Sequence, residues 1–201
     1  VTFTPDGMYA LVANEGEPSK DYTNDPDGTV SVITVADLSV RTANFSGFDS
    51  VPDGMRIVKP GSSVAADVEP EYIAVSADGA TAYVTLQENN GVAVVDVAKA
   101  EVTSLLGLGY KDHSQVPLDA SNKDGGTNIK TWPVMGMYQP DSIVSFEIGG
   151  QTYLMTANEG DAKDYDGWSE ETRVAKLTLD PTAFPNAALL QENGNLGRLK
   201  T

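Results

Sequence analysis

The stretch LVANEGEPSKDY, Leu11 to Tyr22, returns almost unchanged as LMTANEGDAKDY, Leu154 to Tyr165. Each copy begins as an apolar run and ends in a loop crowded with acids. Such self-similarity within one chain is the mark of a repeat architecture. Working outward, residues 1–15 (VTFTPDGMYALVANE), 72–88 (YIAVSADGATAYVTLQE) and 142–159 (SIVSFEIGGQTYLMTANE) have one design. An alternating apolar run meets a tight Gly turn, and a second alternating run ends in Asn-Glu or Gln-Glu. That is a β-hairpin written three times. A third strand is expected after each, at GTVSVITV from Gly28, GVAVVDVA from Gly91 and TRVAKLTL from Thr172. A weaker fourth follows the first two, at RTANFSGF from Arg41 and EVTSLLGLG from Glu101.

Four antiparallel strands at a fixed period describe a β-propeller blade. The equivalent glutamates Glu15, Glu88 and Glu159 are spaced by 73 and 71 residues, longer than the ~40–50 residues of an ordinary blade. The expected fold is therefore all-β: one partial propeller of about three blades over residues 1–201, with blade-like units at about 1–50, 70–110 and 140–180. Three blades do not close a ring. The chain reads as a segment that pairs with the rest of its own propeller, or as one that associates with further copies through open blade edges. Its first residues carry no basic start and no apolar core of a signal peptide, and read as a strand already under way.

The 201 residues are 40% hydrophobic, with 19 Gly, 11 Pro and no Cys. That composition suits a globular chain rich in turns. Thiol catalysis, disulfides and cysteine-held zinc are excluded. No apolar run reaches the ~20 residues of a membrane span. A net charge of −16 repels nucleic acid and favours cations. The one histidine, His113, cannot build chemistry that needs several imidazoles, and a lone loop histidine reads as a surface or packing residue rather than a catalyst.

The surplus length lies in the loops between second and third strands and between blades. In a meander these emerge on one face. Twenty-one of the 29 acids fall there, and carboxylates at that density need cations or basic partners. DPDG at Asp25, NKDG at Asn122 and DYDG at Asp164 have the texture of calcium loops, acids alternating before a Gly. None completes an EF-hand, because the closing positions are Thr34 and Arg173 rather than Glu. The candidate metal ligands are Glu15, Glu17, Asp25, Asp27, Glu88, Glu159, Asp161, Asp164 and Asp166, with Ca²⁺ as the ion. For Glu15, Glu88 and Glu159 a purely structural role, bonding one blade to the next, is the alternative. The loop Asn128–Asp141, with Trp132, Met135, Met137 and Tyr138, is expected to cover apolar surface at the propeller mouth or to present a binding surface. Trp168 stands beside carboxylates, a setting also used to hold sugars. No phosphate-cradling Gly loop or basic stripe is present, and no catalytic residue is identified.

Four stretches in order, YVTLQENNGVAVVDVAKAEV (from Tyr83), LGYKDHS (from Leu108), KDGGTNIKTWPVMGMYQPD (from Lys123) and TANEGDAKDYDGWSEETRV (from Thr156), resemble the choice-of-anchor I proteins. These are bacterial extracellular β-propellers, loosely similar to surface-layer propellers with Tyr-Val-Thr-Asn repeats. The resemblance implies a secreted or cell-surface protein, envelope or surface-layer partners, and a parent propeller of about seven blades. Relatives often carry an alkaline phosphatase label. The two-zinc, multi-histidine site of that enzyme does not map onto a chain with one histidine. A phytase-like phosphoesterase, with carboxylates holding metal ions that bind phosphate, is the alternative to a binding or structural role. Its phosphate clamps could come only from Lys20, Lys111, Lys123, Lys130, Lys163 and Arg173.

Overall fold

Two of the three hairpins close with one device. In the first, Asp6 Oδ1 accepts from Thr4 Oγ1 (2.5 Å) and Met8 N (2.9 Å). In the second, Asp78 Oδ1 accepts from Ser76 Oγ (2.6 Å) and Ala80 N (3.0 Å). The hydroxyl at each turn's start is thus tied to an aspartate two residues on, and the following glycine takes a positive φ (Gly7 71°, Gly79 74°), a conformation that costs a residue without Cβ nothing. These hydroxyl bonds hold both carboxyls below their usual pKa. The third hairpin instead turns on Gly149 and Gly150, both at positive φ, which suits the right-handed twist of its strands.

A computed structural model describes all residues, 1–201. The fold is all-β and propeller-like, with four antiparallel sheets and almost no helix. β1 (Thr2–Phe3), β2 (Tyr9–Asn14), β3 (Thr29–Thr34) and β4 (Val40–Asn44) form one four-stranded meander. β5 (Pro70–Val75), β6 (Thr81–Leu86), β7 (Gly91–Asp96) and β8 (Glu101–Gly107) form the second. A one-turn helix α1 (Val64–Asp67) precedes β5. β9 (Tyr110–Asp112) pairs with β10 (Met135–Met137), and β11 (Pro140–Ile148) pairs with β12 (Gln151–Asn158). The third hairpin stays two-stranded. Instead of a strand, the segment from Thr172 holds a 3₁₀ turn at Val174–Lys176 and a single bridge between Arg173 and Lys200.

The chain divides into two compact units, 1–110 with 137–168, and 111–136 with 169–201. In the first unit, alternate residues of both meanders point inward. Leu11, Val30, Val32, Phe45, Val84 and Val95 form the main core, each fully buried. Ala74, Val92 and Ile143 form a second core, with Leu154 packed against it. In the second unit, Trp132, Ala120, Val174, Leu190 and Leu196 make a separate core, and Trp132 Nε1 donates to Leu118 O at 3.1 Å. The Trp132 segment therefore contributes to a core within the second unit. Short helix α2 (Ala187–Leu190) supplies one wall of that core. His113 is buried there as a packing residue. Its Nδ1 lies 2.9 Å from Val116 O, and its ring fills the space left by Gly136.

Charge is divided as sharply as the chain. The first unit has 22 acidic side chains against six basic ones, whereas the second has seven of each. The whole net charge of −16 therefore belongs to the first unit. Of the acids expected on one face, Asp112, Asp119, Asp124, Glu170 and Glu171 are residues of the second unit.

Candidate functional site: an acid-lined cavity in the first unit

The loop between β2 and β3 and the loop after β12 both start from the repeated Asn-Glu-Gly words, and they meet at their far ends. Tyr22 stacks edge-on against its counterpart Tyr165 (5.4 Å, 83°) and against Trp168 (5.7 Å). Gly167 N donates to Lys20 O at 2.9 Å. A Cβ on Gly167 would lie 2.0 Å from Asp21 O, so only glycine permits this approach. Asp21 locks its own loop by accepting from Ser19 Oγ (2.7 Å), Thr23 Oγ1 (2.8 Å) and Thr23 N (3.2 Å). Those bonds, Ser19 first, lower its pKa.

Beneath the joined loops lies a cavity of about 300 Å³ lined by Glu15, Glu17, Glu69, Glu71, Glu88, Asp161, Asp164, Lys163 and Tyr165. Seven carboxylates thus face one ammonium. Lys163 is fully buried. Its Nζ lies 3.0 Å from Glu69 Oε1 and donates to Asp67 O at 2.7 Å. Asp67, equally buried, has its carboxylate taken up by two backbone N–H groups and a side-chain amide. Its oxygens accept from Val58 N (2.7 Å), Lys59 N (2.8 Å) and Asn89 Nδ2 (2.7 Å). This fixes the segment that carries Glu69 and Glu71 into the cavity.

Glu88 is 6% exposed, and its Oε2 has no hydrogen-bond partner. Leaving a buried carboxylate oxygen unmatched is costly, and the group responds through its affinity for protons. Burial pushes its pKa up to about 7, helped by the charge of Glu69. Burial, helped by the charges of Glu88 and Glu15, pushes Glu71 to about 8. The Gln87 amide, oriented with its nitrogen toward Glu71, donates to Oε2 at 2.8 Å. Glu69 is raised as well, because its burial outweighs the attraction of Lys163. The Tyr165 hydroxyl is pushed up by burial and the surrounding carboxylates. A divalent cation would relieve all of these costs at once, since hard cations take six to eight oxygens. As the side chains stand, no three carboxylates are gathered closely enough to hold one ion. Glu15 and Glu17 are exposed members of the lining, whereas Glu69 and Glu88 are buried.

Of the nine sequence-derived ligands, Glu15, Glu17, Glu88, Asp161 and Asp164 line the cavity. Asp25 instead pairs with Lys59 at 3.8 Å. Asp27 lines a different hollow beside Phe48 and Val64, and Glu159 and Asp166 are exposed away from the cavity lining. The matching glutamates of the three hairpins thus diverge. Glu15 and Glu88 line the cavity, while Glu159 uses its backbone N–H to bond Gln139 O at 3.3 Å. Sequence reasoning counted Glu69 and Glu71 among the loop acids without choosing them, and read Lys163 only as a nearby base. Trp168 is taken up by Tyr22 and by the turn it forms with Tyr165.

The chain was compared with known proteins. No curated protein matches it. Among solved structures, hydrazine synthase of Kuenenia stuttgartiensis is similar at 17% identity and a TM-score of 0.34, over 70% of this chain and 36% of that one. A profile of the choice-of-anchor I domain matches residues 1–201. On that full-length match, the chain belongs to the choice-of-anchor I domain family.

Proposed function

We propose that this is a surface-associated, propeller-like binding domain whose acid-lined cavity takes up a divalent cation, with calcium as the ion. The observation that carries the reading is the buried, unpartnered Oε2 of Glu88 in a cavity with seven carboxylates and one lysine. Family membership supports the placement at a bacterial cell surface, outside the cell. The partners in this reading are further blades of the same propeller and envelope or surface-layer components, with self-association through open blade edges as a further route. Glu88, Glu71, Glu15, Glu17 and Asp161 are the ligands. The bound ion supplies positive charge that the carboxylates lack.

Thermal unfolding in EDTA and across a calcium titration tests it. A ligand at a hundred times its dissociation constant adds ~2.7 kcal/mol, which raises the midpoint of a chain this size by about 5–10 °C. A saturable rise that disappears in Glu88→Gln is expected. A flat response in the parent protein overturns the reading.

A metal-dependent phosphoesterase on the same face is the second reading. Carboxylate-held metal could bind a phosphate ester and activate water. It draws less support, because Lys163, the cavity's one basic side chain, is already engaged by Glu69 and Asp67. Turnover of a chromogenic phosphate ester with calcium, magnesium, manganese or zinc, abolished by Glu88→Gln, would bring it forward.

A further inference from the structure

The second unit holds a groove of about 430 Å³ lined by Asp119, Ala120, Ser121, Asn122, Arg173 and Arg198. Its two guanidiniums are held from behind. Arg198 Nε donates to Asn122 Oδ1 at 2.8 Å. Arg173 Nη1 donates to Arg198 O. The backbone around them is fixed by the Arg173–Lys200 bridge and by Val174 N donating to Leu199 O at 3.0 Å. Neither arginine has a carboxylate within ion-pair distance, although both belong to a chain with 29 acids. Their remaining N–H groups include both terminal nitrogens of Arg198. The unit around them is electrically neutral, so an anion approaching the groove meets no net repulsion from the unit that forms it.

We infer that the Arg173–Arg198 groove is a binding site for an oxyanion, a carboxylate or phosphate group carried by a small molecule or by an acidic polymer. A fixed guanidinium offers two parallel donors that match two oxygens of such a group, and this bidentate match makes arginine the residue for carboxylate and phosphate recognition. Ser121 and Asn122 shape the groove: Ser121 Oγ donates to Asn193 O and accepts from Lys123 N, and Asn122 Oδ1 holds Arg198 Nε in place. Asp119, on the same lining, sets the limit on affinity. Its Oδ2 accepts from Asn128 N at 3.2 Å, and its charge opposes the anion. The site shares no residue with the acid-lined cavity and does not depend on the cation reading.

The test is calorimetric titration of the full chain with inorganic phosphate, sulfate and glucuronate, in EDTA and at constant ionic strength. Saturable binding of at least one probe is expected, weakened roughly tenfold or more in Arg198→Gln. Arg198→Lys, which keeps the charge and loses the fork, should recover less than half of that loss in free energy. Asp119→Asn should tighten binding. Phosphate binding without glucuronate binding identifies a tetrahedral anion, and the reverse identifies a carboxylate. Heats equal to dilution for all three probes overturn the inference. So does binding that Arg198→Gln leaves unchanged, provided the variant's circular dichroism spectrum matches that of the parent.

Discussion

Tyr22 and Tyr165 occupy the same place in the two copies of the repeated word, and they touch each other, ring edge to ring face, at 5.4 Å. The repeat therefore marks two loops that close on one another. The one residue by which the first loop is longer, between Glu17 and Lys20, is taken up without losing the contact. Tyr22 also carries Lys59 Nζ over its ring at 3.8 Å. Aromatic pairs contribute ~0.5–1.5 kcal/mol beyond the area they bury. Tyr22→Ala and Tyr165→Ala should each destabilise the protein by about 1–3 kcal/mol. Their double-mutant cycle, measured by denaturant unfolding, should give a coupling of about 0.5–1.5 kcal/mol. Simple additivity would show that the rings only coincide in space.

Gly167 gives a steric test of the same junction. Gly167→Ala places a Cβ 2.0 Å from Asp21 O and 2.3 Å from Asp21 C, and backbone cannot yield cheaply there. Gly126→Ala meets nothing within 4 Å. The first substitution should lower the melting midpoint by several degrees and weaken the calcium response. The second should leave both within error. Equal effects would show that the loop junction does not depend on the close approach at Gly167, since the unfolded-chain effect of Gly→Ala is itself stabilising.

The raised carboxyls of the cavity set a pH dependence. Glu71 (about 8), Glu88 (about 7) and Glu69 hold protons in the folded state that the unfolded chain releases from near pH 4.5. Stability from these groups is therefore present at low pH and falls as pH rises from about 5 to about 8. In EDTA the melting midpoint should drop across that window, and Glu71→Gln should flatten the drop and raise the midpoint at pH 8. A cation must displace the same protons, so calcium affinity should increase from pH 6 to pH 8. A midpoint that climbs over this range would contradict the cavity electrostatics.

Lys163 is the cavity's internal counter-charge. Lys163→Met removes the ammonium and leaves Glu69 buried beside other acids. Removing one partner of a buried ion pair costs ~3–5 kcal/mol. That loss should be large at pH 8 and shrink at pH 5, where Glu69 can protonate. The double variant Lys163→Met with Glu69→Gln should recover much of the stability. Chemical denaturation of the three proteins at both pH values measures it.

The hairpins were legible because period-two alternation and Asp-Gly or Gly-Gly turns are local signals. The strand expected at TRVAKLTL was a misreading for a physical reason. Val174 and Leu177 stand three apart, and both feed the core around Trp132, which a 3₁₀ turn serves and a strand would not. The second unit could not be seen at all. It depends on pairing residues far apart in the chain, such as Leu118 with Lys130 and Thr172 with Thr201. At the site, loop position found Glu15, Glu17 and Asp161. It could not rank Glu71, counted only as one loop acid among many, nor tell Lys163, fully buried, from its exposed counterpart Lys20.

The unequal sharing of charge makes ionic strength a selective variable. Self-repulsion among surface carboxylates extends about 10 Å at 0.1 M salt and about 3 Å at 1 M. The exposed acids among the first unit's 22 feel that change, and the neutral second unit has little to screen. In brine the first unit is relieved of its own field, and in dilute water it carries that field in full. Dissolved salt thus acts on one half of the chain as an adjustable tension, independent of any bound ion.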